Sequence, residues 1–128
     1  MSDRVLVCGA REWTDRRLIR EVLSRLPSGT IVIEGDQRGA DRIAGEVAVT
    51  LGFVVEPYPA DWDRYGRAAG PIRNQRMLEE GKPGRVIAFH ADLKHSHGTK
   101  DMVKRARRAG LPVSVYGGYL LSNAEVFR

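Results

Sequence analysis

Short apolar runs alternate with amphipathic segments along the whole chain. Apolar runs typical of buried strands occupy residues 4–8, 30–34, 53–56, 85–89 and 112–116. The clearest helical periodicity runs from Ala40 to Leu51, where apolar side chains recur on one face before Gly52. Other helices are predicted from an N-cap at Thr14 through Leu26, in the latter part of a long irregular connection that ends at residue 80, and over residues 100–109.

This alternation predicts the fold class. Strands that read as continuous apolar runs belong to parallel sheets covered on both faces. We therefore expect an α/β fold in which residues 1–128 form a single Rossmann-like domain, with a five-stranded, mostly parallel sheet and helices on both faces. Ligands of such sheets bind beyond the carboxyl ends of the strands. The loops that follow strands are therefore expected to converge on one edge, and they are residues 9–13, 35–41, 61–74 and 90–99.

Charge and cysteine content narrow the classes of function. The formal charge of +5 and the pI near 9.8 favour anionic partners such as nucleotides or nucleic acid. The single cysteine, Cys8, lies in an apolar strand and is interpreted as a buried, inert thiol. The chain shows no secretory signal pattern and no apolar run of membrane-spanning length, so we expect a cytoplasmic protein without a membrane partner.

The turn "GDQRGAD", residues 35–41, is the first candidate for binding chemistry. Its glycines permit close approach of a ligand to the backbone, and the helix start that follows favours an anion. Arg38 can clamp a phosphate with its planar fork. Aspartates such as Asp36 and Asp41 can cap a helix or accept hydrogen bonds from ribose hydroxyl groups. The alternative is a structural turn with solvated charges.

Two later segments carry further candidates. In "AGPIRNQRM", Pro71 precedes Arg73 and Asn74 at the expected opening of a helix, where both would face the crevice. The segment "HSHGTKDM" is the expected start of a helix and contains Ser96, Gly98 and Thr99. This helix start can hold an anion, or its hydroxyl groups can form a simple N-cap. Trp62 is interpreted as a packing residue that pins its loop, rather than as a platform for a base.

The histidine loop and the basic helix have plain interpretations. His95 and His97 would need Asp92 or other ligands to hold a metal, so no metal site is predicted. The helix over residues 100–109 carries five cations around an apolar face. Such helices are usually solvated, although contact with nucleic acid stays open.

Taken in order, four motifs resemble one family. "VLVCGAREWTD", "GDQRGADRIA", "PADWDRYGRAAGPIRNQRM" and "HGTKDMVKRARRAGLPV" are similar to the YspA-like branch of the SLOG superfamily. The resemblance covers residues 4–116. It implies a Rossmann-like fold that binds nucleotides, NAD derivatives or related phosphorylated ribosides.

Two related families indicate the range of functions that the resemblance implies. Lonely Guy phosphoribohydrolases, which release the base from a nucleoside monophosphate, have an arginine four residues before a methionine, as do Arg73 and Met77. Their GGxGTxxE glutamate corresponds to Met102, and Asp101 lies one residue too early, which argues against N-glycosidic hydrolysis. The DNA-processing protein A family has "GxARGID" and "RNR" motifs that resemble "QRGAD" and "RNQR" here, so nucleic acid is an alternative partner.

The resulting hypothesis is a protein that binds a nucleotide-derived ligand, namely a nucleoside phosphate or an NAD or ADP-ribose derivative, as a sensor or as a nucleotide-processing enzyme. The alternatives are a nucleic-acid-binding module and an N-glycosidic phosphoribohydrolase. No other cofactor and no metal is expected, and a homo-oligomer stays open. Arg73 and Asp101 are the candidate catalytic residues. The predicted ligand contacts are Gly9, Arg11, Gly35, Asp36, Arg38, Gly39, Asp41, Arg73, Asn74, Ser96, Gly98 and Thr99.

Overall fold

A parallel sheet of five strands forms the centre of the protein, which confirms the predicted fold class. The computed structural model describes residues 3–117, so the tail after Gly117, whose structure the sequence left ambiguous, lies outside the described residues. The order across the sheet is β3-β2-β1-β4-β5. The strands are β1 (Arg4–Gly9), β2 (Ile31–Glu34), β3 (Val54–Pro57), β4 (Arg85–Phe89) and β5 (Val113–Tyr116). The direction of strand addition reverses between β1 and β4, where such folds open a crevice.

Helices cover both faces of the sheet. They are α1 (Arg16–Leu23), α2 (Ala40–Thr50), α3 (Trp62–Tyr65), α4 (Ala69–Glu79) and α5 (Gly98–Arg108). Single 3-10 turns occupy Gly66–Ala68 and Leu93–His95. Helices α1 and α2 share one apolar core with Val5 and Val7, while α4 and α5 share the other with Leu6 and Cys8. Within residues 3–117, no helix is both long and apolar enough to cross a membrane.

Three local predictions needed correction. Asp15, not Thr14, is the N-cap of α1, because its carboxylate accepts the Leu18 N–H at 3.1 Å. Helix α1 ends at Leu23, so Leu26 packs against the core from the following turn. The connection after β3 is more regular than expected, because α3 and a 3-10 turn precede α4. Pro71 lies in the first turn of α4, where its missing N–H costs no hydrogen bond.

The single cysteine is buried as predicted. Cys8 is 6% exposed in the core under α4 and α5. Burial raises the pKa of its thiol far above the ordinary value, so the thiolate does not form at neutral pH.

Two glycines interlock the loops that follow β1 and β2. A side chain at Gly9 would collide with the Phe89 carbonyl and with Ala40. Gly39 has a φ of +82°, and a Cβ there would collide with the carbonyl oxygens of the 10–11 segment. The Ala40 N–H donates to the Ala10 carbonyl at 3.1 Å. Backbone therefore meets backbone at this edge, with no room for a Cβ.

Glu34 ends β2 with a buried carboxylate. It is 4% exposed, and its Oε1 accepts the Asp36 N–H at 2.5 Å. Burial is the largest cause of a pKa raised to about 7, and the hydrogen bond from Asp36 opposes it. Between about pH 4.5 and 7, the folded protein therefore holds a proton on Glu34 that the unfolded chain releases.

We expect Gly39→Ala to cost far more stability than Gly110→Ala. Both glycines have a positive φ, +82° and +79°, but no atom lies within 4 Å of a Cβ at Gly110. Gly110→Ala should lower the free energy of unfolding by about 1 kcal/mol through backbone strain alone. Gly39→Ala adds a backbone collision and should lose roughly 3 kcal/mol. Urea denaturation measures both, and equal losses would contradict the interlock.

The pKa of Glu34 predicts a pH-dependent gain from Glu34→Gln. Because the folded pKa lies above the unfolded value of 4.5, wild-type stability falls as pH rises from about 4.5 to 7. Glutamine keeps the acceptor for Asp36 and carries no charge. The variant should match the wild type at pH 4 and be more stable by about 2 kcal/mol at pH 8. Exposed Glu46→Gln is the matched control, and a Glu34→Gln gain that does not change with pH would refute the assignment.

Candidate functional site

A cleft of about 470 Å³ lies at the carboxyl ends of β1 and β4, where the strand order reverses. All four loops that were expected to converge contribute to its lining, which confirms that expectation. Six of the predicted ligand contacts and the catalytic candidate Asp101 line the cleft. The six contacts are Gly9, Arg11, Arg73, Ser96, Gly98 and Thr99.

One wall of the cleft combines exposed cations with an aromatic ring. Arg11 and Arg67 are exposed, and the Arg11 guanidinium carbon lies 5.7 Å from the centre of the Trp62 ring. Trp62 is 44% exposed, so the prediction that it packs to pin its loop is wrong. Helix α3 is short and buries no side chain, which leaves the ring on the surface of the cleft.

The start of α5 presents unpaired donors on the other wall. Ser96 Oγ accepts the N–H groups of Thr99 at 3.2 Å and Lys100 at 3.3 Å. Among the described residues, the N–H groups of His97 and Gly98 have no partner. Helix N–H groups at this end point out along the axis and carry the positive end of the dipole. The first turn is thus capped by its own serine and still offers two free donors to the cleft.

The Thr99 hydroxyl group adds a third free group at this helix start. Thr99 is only 7% exposed and lines the cleft, yet its Oγ1 makes no hydrogen bond within residues 3–117. No fully buried side-chain oxygen or nitrogen in that range lacks a partner, so Oγ1 must still be open to the cleft.

Arg73 is buried beneath the cleft instead of reaching freely into it. Arg73 is only 5% exposed. Its Nη1 donates to the Gly35 carbonyl at 2.5 Å and to the Tyr58 carbonyl at 3.5 Å. Its Nε donates to Asn74 Oδ1 at 3.0 Å. Burial lowers the pKa of Arg73, and the nearby Asp41 carboxylate opposes that effect. Only Nη2 has no partner among the described residues, so its two N–H groups remain for a ligand.

Asn74 connects α4 to the start of α5. Its Nδ2 donates to the Gly98 carbonyl at 3.2 Å and to Asp101 Oδ2 at 3.0 Å. The same Oδ2 accepts from Arg105 Nε at 2.8 Å, and Arg105 also reaches Gln75. Asn74 does not line the cleft, so the structure places it behind the site, where it positions the Asp101 carboxylate. Its predicted role as a ligand contact stays a prediction.

The β2–α2 turn satisfies its own N–H groups with carboxylates. Asp41 accepts from the backbone of Gly35, at 3.2 Å, and of Gln37, while Glu34 accepts from Asp36. Asp41 is 5% exposed, and burial raises its pKa to about 7 against the opposing charge of Arg73. Three successive donors that could hold a phosphate are therefore occupied by the protein's own side chains.

Gly35, the first residue of that turn, leaves room for the Arg73 guanidinium. A Cβ at Gly35 would lie 2.6 Å from Arg73 Nη1 and 2.8 Å from Asp41 Oδ2. Neither Gly35 nor Gly39 lines the cleft. Both make room for other protein groups, and their predicted ligand contacts stay predictions.

The remaining predicted charges of this turn, Arg38 and Asp36, do not line the cleft. Arg38 is exposed and donates to Glu12 at 2.8 Å. Asp36 is exposed and lies 3.4 Å from Arg42 Nε. The residue of the turn that does line the cleft is Gln37, which can accept from Arg11 Nη2 at 2.8 Å when its amide oxygen faces that arginine.

His90 brings a neutral imidazole to the cleft. Its Nδ1 accepts the Asp92 N–H at 3.0 Å, and burial lowers its pKa. The neutral ring with an occupied Nδ1 carries its proton on Nε2, so it can act as a hydrogen-bond donor. His95 pairs instead with Asp92, with Nδ1 2.7 Å from Oδ2. Within residues 3–117, no three histidine, cysteine or acidic side chains cluster in a way that could hold a metal.

Sequence reasoning missed several residues of the cleft. Arg67, Gln37 and His90 were not singled out, and His97 was considered only as a metal ligand. Arg67 follows β3 on the same sheet edge as the other loops, so its position in the loop was the available signal. Met102, at the position of the Lonely Guy glutamate, is 1% exposed in the core, whereas Asp101 lines the cleft.

Comparison with known proteins agrees with the motifs and the fold. The profile of the YspA, cpYpsA-related SLOG family matches residues 3–65. The chain is 37% identical over 123 residues to Gene 61 protein of Mycobacterium phage D29, covering 89% of this chain and 96% of that protein. The X-ray structure of DNA processing protein A (DprA) from Streptococcus pneumoniae is similar in fold, with a TM-score of 0.75 at 20% identity. That match covers 94% of this chain and 52% of DprA, so the chain spans about half of that protein. The sequence relationships and the shared fold show that this chain belongs to the YspA, cpYpsA-related SLOG family, as its four motifs predicted.

Proposed function

We propose that the protein binds a nucleotide-derived ligand in the cleft, as a sensor or as a nucleotide-processing enzyme. The observation that carries this proposal is the excess of unpaired donors around one cavity. Arg11, Arg67 and Arg73 line it, and Asp101 is the only carboxylate among the lining residues. A ligand that fits this cleft carries negative charge.

The start of α5 is the best position for a phosphate. Two free N–H groups, the helix dipole and the Thr99 hydroxyl group meet there, and backbone donors of this kind suit phosphate oxygens. The β2–α2 turn is a poorer position because its own carboxylates already occupy its donors. Arg67 carries no ion pair within the described residues, so its guanidinium is free to neutralise a ligand.

Trp62 supports a base beside that phosphate. An exposed indole ring on a cleft wall offers a flat apolar surface, and stacking on such a ring does not require a particular base. Arg11 already lies over the ring, so a base would join a stack of cation and aromatic groups.

Thermal shift against AMP, ADP, NAD and ADP-ribose tests this function. A ligand at about 100 times its Kd should add ~2.7 kcal/mol of stability and raise Tm by several degrees. Arg67→Ala should weaken binding about tenfold because it removes a free charge-assisted donor. Arg107→Ala, at the far end of α5, is the matched control and should bind as the wild type does. No shift with any of these ligands would reject the proposal.

Arg73→Ala is a poor test of ligand contact. Its guanidinium holds two loop carbonyl groups, so its removal should unfold or distort the site before any ligand is added. Arg67 is exposed and tests binding without that effect.

Nucleic acid is the second candidate ligand. The fold likeness to DNA processing protein A and the exposed cations Lys104, Arg107 and Arg108 on α5 support it. A strand bound along α5 should lose affinity steeply with salt, because several counterions are released. In that case Arg107→Ala would weaken binding as much as Arg67→Ala, and titration of a short single-stranded DNA at two salt concentrations separates the two candidates.

N-glycosidic hydrolysis predicts a strong effect of Asp101→Asn. Asp101 Oδ2 is held by Asn74 and Arg105, and the other oxygen is free to orient water or to stabilise a ribosyl cation. If base release from AMP occurs, Asp101→Asn should slow it at least about 100-fold. Chromatography of the released base measures the rate, with exposed Asp63→Asn as the control. Unchanged turnover in Asp101→Asn would remove Asp101 from the reaction.

A further inference from the structure

A second depression, of about 480 Å³, adjoins the cleft at the outer side of the start of α5. It shares Ser96, His97 and Asp101 with the cleft, so the two are continuous around the first turn of the helix. Its other lining residues include Lys94, Lys100 and Lys104, which we call the lysine surface. The cleft itself contains none of these lysines.

The cations of the lysine surface have no carboxylate partner within residues 3–117. Lys100 is partly buried, and its ammonium group donates to the Lys94 carbonyl at 3.3 Å. The nearby Asp101 is engaged with Asn74 and Arg105 instead. The lysines therefore concentrate positive charge that the fold does not neutralise.

The position of these charges works against the stability of α5. Lys100 lies in the first turn, where the helix dipole disfavours a cation. Lys100 and Lys104 are four residues apart on the same helix face, where like charges repel each other. An anion at the lysine surface would relieve both unfavourable interactions.

We propose that the lysine surface binds the second phosphate of a pyrophosphate whose first phosphate occupies the start of α5. This inference rests on the proposed function and specifies its ligand class. Adjacent phosphates of a pyrophosphate are joined by one oxygen, and the two depressions meet at Ser96 and His97. Thr99 Oγ1 and the free N–H groups of His97 and Gly98 hold the inner phosphate, and Lys100 and Lys104 neutralise the outer one.

Comparison of AMP with ADP tests this arrangement, because the two ligands differ only in the outer phosphate. We expect wild-type protein to bind ADP roughly tenfold more tightly than AMP in titration calorimetry. Lys100→Gln combined with Lys104→Gln should remove most of that difference and leave AMP affinity unchanged. Lys104→Gln alone, at an exposed position, should lower ADP affinity roughly fivefold. Arg107→Gln removes the same charge from the far end of α5 and should leave the ADP to AMP ratio as it is.

The outcomes separate this inference from the proposed function. AMP binding with no advantage for ADP, or an advantage that persists in the double variant, overturns the lysine surface while the cleft stands. Failure of AMP, ADP, NAD and ADP-ribose alike to bind overturns the proposed function and this inference together. ADP-ribose in the same series distinguishes the source of the pyrophosphate, because a preference for ADP-ribose over ADP indicates a bridging pyrophosphate and the reverse indicates a terminal one.

Discussion

The buried guanidinium of Arg73 is the interaction on which the ligand edge depends. It comes from α4, holds the carbonyl groups of Gly35 and Tyr58, and lies against Asn74. Asn74 in turn holds the start of α5. Four segments that are distant in the chain therefore meet on one pair of side chains. Because burial of an arginine is favourable only when its donors find acceptors, the carbonyl groups and the guanidinium stabilise one another.

Carboxylates and backbone donors are distributed unequally along this edge. The β2–α2 turn keeps Glu34 and Asp41 for its own N–H groups, which explains an acidic turn at a helix start without any ligand. The start of α5 is capped by a serine alone and leaves donors unpaired. Two helix starts at the same edge are therefore chemically different, because carboxylates satisfy the donors of one and the other keeps unpaired N–H groups.

The sheet could be predicted from the sequence, whereas much of the site could not. Continuous apolar runs such as residues 85–89 indicate buried parallel strands, because helices cover both faces of a parallel sheet and bury side chains on both sides of the strand. The burial of Arg73 was not predictable, because its acceptors lie 38 and 15 residues away in the chain. The orientation of the Asp41 side chain depends on the same tertiary contacts, so it was not predictable either. Trp62 was misjudged because a tryptophan in a long connection is usually buried, and here α3 is too short to cover it.

The two walls of the cleft differ in how much change they tolerate. On the side of β1, Gly9 lies directly against the Phe89 carbonyl and Ala40, so almost any substitution there disturbs the fold. On the side of α3, no side chain is buried, and Trp62 and Arg67 stand on the surface. Ligand preference can therefore diverge among relatives by point substitution on one wall while the other stays constant, which separates the evolution of specificity from the maintenance of the fold.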